Sequence, residues 1–159
     1  VSDDTQITGT GTLLKEMIPN GSCKRIKETG GGSTNGIYDI QPSGTTEKKA
    51  YCNMEEAGGG WTLVARSKSG VTGTLALATA TGSVSNLDTL YSLGTSGLLY
   101  TKWMFASYTT GRSIDNYKTI DTTNVSLSFS PHTLTATGIT GGAANDGYLG
   151  KAGGMIFVK

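Results

Sequence analysis

Two cysteines, Cys23 and Cys52, are the only thiols in this chain, and the second opens the stretch YCNMEEAGGGWTLVARS, residues 51 to 67. Neither sits in a CxxC or Cys/His cluster, so a zinc site lacks ligands. Paired, they close a loop of about 29 residues, which the chain-entropy treatment values at roughly 3 to 4 kcal/mol. That much matters to a chain with 24 glycines, since each ordered glycine loses more backbone freedom than any other residue. Pairing implies an oxidising compartment; the alternative is two buried free thiols in a cytosolic protein. With the pair formed, Gly58, Gly59 and Gly60 let the backbone approach where side chains would clash. Trp61 then packs against the disulfide and needs a partner for its indole N–H. So read, the whole block is structural, a folding nucleus.

At 159 residues the chain suits one domain. Residues 1–12 read as a polar extension or edge strand, and 13–159 as the domain. A net charge of +1 with few charged residues leaves no basic footprint for nucleic acid. No apolar run approaches the ~20 residues that span a bilayer, and GLLYTKWMF is interrupted by Lys102, so membrane insertion is not expected. The start at Val1, without Met or an apolar leader, suggests a processed or trimmed chain. Sequons at Asn20 and Asn124 are compatible with secretion.

Patterning predicts short strands, few helices and long glycine-rich loops: an α+β, mainly antiparallel β domain. SCKRIKETGGG reads as a short helix capped by Ser22 and stopped at Gly30. GIYDIQP and KKAYCNM alternate as two antiparallel strands. GWTLVARS supplies a third, with Trp61, Leu63 and Ala65 on one face and Thr62, Val64 and Arg66 on the other. SGVTGTLALATATGSVS fits either a loose hairpin or a loop. NLDTLYSL carries apolar residues at helical spacing behind Asn86, which predicts a short helix. LLYTKWMFASY favours a strand, NVSLSFS is a strand by alternation, HTLTATGI its partner across Pro131, and GGMIFVK a closing strand inside a sheet.

SCKRIKE, GIYDIQPSG and KAYCNMEEAGGGWTLVARS, in this order and at these intervals, resemble the opening of fibrinogen C-terminal-like domains. There a first Cys leads through a G-x-Y-x-I-x-P strand to Y-C-D-M and G-G-G-W-T. Asn53 stands where the family commonly has Asp. The closing GGMIFVK is similar to the terminal strand of the intelectin branch and its bacterial and invertebrate relatives.

The resemblance implies a secreted recognition module, a calcium-dependent lectin for exposed terminal sugars such as galactose. Calcium takes six to eight oxygen ligands, and two stretches offer them. SIDNYKTIDTTN places Asp115, Asn116, Asp121 and Asn124 within one loop region, and GGAANDGYLG places Asn145 and Asp146 beside Tyr148. The second ranks first for sugar contact, with Tyr148 or Trp103 covering the sugar's apolar face and His132, the single histidine, donating to a hydroxyl. Each also has an ordinary reading, since NDG and IDN are common turn sequences and a histidine after Pro131 is commonly a turn residue.

Enzymatic motifs are missing: no G-x-S-x-G, no P-loop, no G-x-G-x-x-G after a strand, and few acids to form a catalytic pair. Because one sugar site on a small domain binds weakly, a homo-oligomer is expected. The alternative to a glycan-binding lectin is a structural subunit of an extracellular filament, pilus or virion. In that case residues 1–12 and 69–85 would be inter-subunit strands.

Overall fold

The computed structural model describes residues 20–68, 77–121, 126–130, 133–137 and 154–159. The expectations for residues 1–12 and for Asn124, His132, Asn145, Asp146 and Tyr148 lie outside these.

Helix α1, Cys23–Glu28, begins where the Ser22 side chain accepts from the Arg25 N–H. It ends with the Gly31 N–H on the Ile26 carbonyl and the Gly30 N–H on that of Lys27. Those two bonds satisfy carbonyls that the last turn leaves orphaned. Strands β1, Gly36–Ile40, and β2, Lys48–Asn53, then pair antiparallel from Gly36 opposite Cys52 to Ile40 opposite Lys48. The turn Glu56–Gly58 leads into β3, Trp61–Arg66.

The remaining strands are β4, Tyr91–Ser92; β5, Lys102–Tyr108; β6, Ile114–Asp121; β7, Ser126–Ser130; β8, Thr133–Thr137; and β9, Gly154–Val158. The main sheet runs β1-β2-β3-β9-β5-β6, with β4 also on β3, and β7 and β8 form an antiparallel pair of their own. The fold is therefore mostly antiparallel sheet with few helices. The closing strand lies at its centre: β9 pairs with β3 on one side and β5 on the other. This explains why GMIFV is apolar at every position, since all five residues are buried.

One sequence expectation is extended and two are corrected. First, the strand expected over GWTLVARS is β3, and both of its faces are buried, all six residues. Helix α1 packs on β2 and β3, and Val84, Leu93 and Leu98 join the same core. Second, NLDTLYSL is not a helix. Asn86 does cap a local turn, accepting from the Asp88 N–H, but Tyr91 and Ser92 extend to pair with Arg66 and Ala65. The reason is the edge of β3. Strand β2 covers it only at Trp61 and Thr62, so the backbone groups beyond need another partner, and β4 with the Leu93 N–H on the Val64 carbonyl supplies it. Third, SIDNYKTID is not a loop but β6, an edge strand pairing with β5 from Lys102 opposite Asp121 to Tyr108 opposite Ile114. The stretch left open between hairpin and loop contains, among its described residues, turns around one isolated bridge, Thr81 to Ser92.

Candidate functional site

The block from Cys52 to Trp61 is built as a brace. Cys23 and Cys52 are bonded, with Cα atoms 5.4 Å apart, and the Cys23 N–H donates to Thr62 Oγ1 at 3.1 Å. Asn53 Oδ1 accepts from the N–H groups of Glu55 and Glu56, at 3.1 and 2.9 Å. An Asp side-chain oxygen accepts in the same way, which accounts for Asn standing there. The Trp61 indole donates to the Ala57 carbonyl at 3.4 Å, the partner its burial required. Gly59 has φ +70, and a Cβ there would overlap the Met54 carbonyl and Lys27 Nζ. That lysine donates to the carbonyls of Met54 and Gly58 at 2.8 and 2.7 Å, so it pins α1 to the glycine turn.

Two arginines are also structural. Arg66, 4 % exposed, donates to the carbonyls of Leu87 and Gly111 and lies 4.3 Å from the Tyr108 ring centroid. Arg112 donates to the Val84 carbonyl and lies over Tyr51. Together they tie the 84–87 turn and the β5–β6 turn to the sheet. Tyr91, opposite Arg66 across β3 and β4, is buried with no hydroxyl partner among the described residues. Burial pushes its pKa up, against a smaller opposing pull from Arg112.

An open feature among the described residues is a cleft of about 360 Å³ between the start of α1, Ser43, the 97–101 turn and Lys159. Lys24, Arg25 and Lys159 supply its charge, Tyr100 and Leu99 its apolar wall. Leu99 is 45 % exposed. The Tyr100 ring rests edge-on against Trp103 at 5.1 Å. Glu28 pairs with Arg25 at 3.0 Å and with Lys24 at 3.9 Å, at the surface. Lys159 Nζ lies 5.5 Å from the Trp61 ring centroid, and burial, then the neighbouring Lys27, Lys102 and Lys24, lowers its pKa.

The sequence-predicted residues fall elsewhere. Asp115, Asn116 and Asp121 lie along β6 instead of one loop. At ~3.4 Å per residue the six steps from Asp115 to Asp121 span ~20 Å, too far for one ion. Asp115 instead accepts from Thr109 Oγ1 at 2.6 Å. Among the described residues no cluster of three or more His, Cys, Asp or Glu forms. Trp103 does not face solvent: it is 6 % exposed, packed between Tyr100 and Phe105, so neither face is open to a sugar. Tyr100, half-buried against the core, lines the cleft instead. Sequence reasoning missed the cleft because its residues come from four distant segments, around α1, Ser43, 97–101 and Lys159. The one local clue is SCKRIKE, with basic residues at Lys24, Arg25 and Lys27.

This geometry, a disulfide-braced helix on a mostly antiparallel sheet with β9 at its centre, is a fibrinogen-like fold. Residues 20–76 match the family described as fibrinogen beta and gamma chains, C-terminal globular domain. The fibrinogen-like globe domain of human ANGPTL2 superposes with a TM-score of 0.50 and 14 % identity, over 89 % of this chain and 99 % of that one; at that identity the likeness concerns the fold. In sequence the chain is similar to angiopoietin-2 of Homo sapiens, 44 % identical over 57 residues, 35 % of this chain and 11 % of the relative. It also resembles angiopoietin-4 of Bos taurus, 46 % identical over 49 residues, 30 % of this chain and 10 % of the relative. The matches thus span about a tenth of these relatives' length. Over residues 20–76 the comparisons support the family of fibrinogen C-terminal domains.

Proposed function

We propose that this chain is a secreted recognition domain, a lectin that binds exposed terminal sugars such as galactose with the help of calcium. The observation that carries this reading is the fibrinogen-like fold, matched in sequence over residues 20–76. Secretion is supported by the Cys23–Cys52 bond, since disulfides persist in oxidising compartments. Among the described residues no helix is long and apolar enough to cross a membrane.

Asn145 and Asp146 are the proposed calcium ligands, supported by their oxygen chemistry and their place in a glycine-rich segment ahead of β9. Tyr148 offers an aromatic face to the sugar and His132 a donor to a hydroxyl. Asp115, Asn116 and Asp121 leave the set because β6 spreads them apart, and Trp103 because it is buried. Weak single-site affinity makes a homo-oligomer the functional form.

The test is a glycan array with and without a calcium chelator, followed by galactose calorimetry on Asp146→Ala. Calcium-dependent binding lost at least tenfold in the variant is the expected result. Silence on the array with calcium present would remove the lectin reading, and full chelator-insensitive binding would remove the ion.

A further inference from the structure

The cleft beside α1 concentrates charge out of proportion to the chain. Lys24, Arg25 and Lys159 line it, with Glu28 as the single carboxylate among its walls. Lys27 and Lys102 stand close enough to act on Lys159. Among the lining residues three cations stand against one carboxylate, a net charge of +2, while the entire chain carries only +1. Like charges held together repel and weaken the fold that holds them, so such a corner needs compensation. Glu28 provides little, because its pairs with Lys24 and Arg25 are exposed, and pairs of that kind are worth ~0 to 1 kcal/mol. They exchange readily for an incoming anion.

The opposite wall is not charged. The half-buried Tyr100 ring is buttressed edge-on by Trp103, and Leu99 is one of three exposed large apolar side chains among the described residues. An aromatic ring beside a basic wall suits a ligand with two chemistries: an apolar ring face for Tyr100, and a carboxylate or sulfate for the cations. A small inorganic anion would use only the second. A cleft of about 360 Å³ accommodates one or two sugar rings.

From this we infer that the cleft formed by Lys24, Arg25, Tyr100 and Lys159 is a binding site for acidic saccharides, sugar rings bearing carboxylate or sulfate groups. It is independent of calcium, because its charge is already positive and it offers one carboxylate. It is therefore a second site, separate from the calcium-linked one proposed at Asn145 and Asp146.

The experiment measures binding of the intact chain to a fluorescent hexasaccharide of alternating uronic acid and sulfated hexosamine. Chelator is present throughout, and the competitors are a neutral hexasaccharide of equal length and inorganic sulfate. The inference expects binding that weakens at least tenfold between 50 and 200 mM salt by the counterion argument, and resists both competitors. Lys24→Glu should abolish binding, and Tyr100→Ala should weaken it several-fold. Because the Lys24 side chain is 49 % exposed, its reversal leaves the fold intact, which circular dichroism checks. Lys49→Ala is the control, an exposed lysine on β2 paired with Asp39.

Equal loss in Lys49→Ala and Lys24→Glu would mean diffuse attraction and overturn the site. Displacement by sulfate as strong as by the acidic oligosaccharide would show that charge alone is read. Absence of acidic-saccharide binding would also overturn it, and would leave the calcium-dependent galactose result standing or falling separately.

Discussion

At the residue scale the legible positions were those whose constraint is local. The GGGW run announces a backbone that must bend left-handed against something close, and the structure supplies that something: the Met54 carbonyl and Lys27 Nζ against Gly59. Gly59→Ala should accordingly cost about 3 kcal/mol or more, from positive φ plus steric overlap, read as a lowered midpoint in urea with unchanged slope. Gly44 is the comparison. It too has positive φ, 75°, but a Cβ there meets nothing within 4 Å, so Gly44→Ala should cost only about 1 kcal/mol. Equal costs would mean that overlap at Gly59 is relieved by movement. Tyr91 was not legible in this way, because burial of its hydroxyl depends on strands 25 residues apart in sequence, β3 and β4. Its raised pKa gives a signed expectation. The unfolded chain releases the phenolic proton near 10 while the folded chain keeps it, so the folded state binds more protons above that pH. Stability then falls as pH rises past 10, and Tyr91 alone should account for ~1.4 kcal/mol by pH 11. Lys48 and Lys159, whose pKa values burial lowers, push the opposite way below their ordinary value, so the contrast must be taken against Tyr91→Phe. That variant should show a shallower loss between pH 10 and 11 in denaturant titrations; identical slopes would contradict the assignment to Tyr91.

At the element scale the strands with strong alternation, β1, β2, β7 and the closing β9, were readable because burial alone fixes a period of two or an apolar run. The misread elements are those whose state is decided by a neighbour. Leu87, Leu90, Tyr91 and Leu93 have helical spacing, yet the open half of the β3 edge draws Tyr91 and Ser92 into a strand. Propensity over eight residues is worth a few tenths of a kcal/mol each, less than leaving buried backbone groups unpaired. Strand β6 was hidden for another reason. As an edge strand it keeps Asp115, Tyr117, Thr119 and Asp121 exposed and half-buries Ile114, Lys118 and Ile120, so its composition is that of a loop while its pairing with β5 is continuous apart from one register shift. The same fact dissolved the first calcium set: carboxylates that would meet in a loop are drawn apart by an extended backbone.

At the scale of the whole molecule the kinship was legible in one third of the chain and the cleft in none of it. Motifs such as GIYDIQP and YCNM occupy consecutive positions, whereas Lys24, Tyr100 and Lys159 become neighbours only because β9 threads between β3 and β5, and no spacing rule encodes that. What the disulfide contributes can be separated from this topology. Helix α1 is held to the sheet by four links: the Cys23–Cys52 bond, the Cys23 N–H on Thr62, and the two Lys27 bonds to Met54 and Gly58. Only the first also constrains the unfolded chain. Replacing both cysteines, Cys23→Ser with Cys52→Ser, should lower stability by about 3 to 4 kcal/mol on chain-entropy grounds, together with a smaller loss from burying two hydroxyls where sulfur packed. Because the Lys27 bonds remain, α1 should stay docked in the surviving folded molecules, and the acidic-saccharide affinity of that population should change less than twofold. Denaturant titration with binding measured on the same samples reads both quantities. A large loss of affinity at full folding would mean that the disulfide, and not Lys27, positions Lys24 and Arg25.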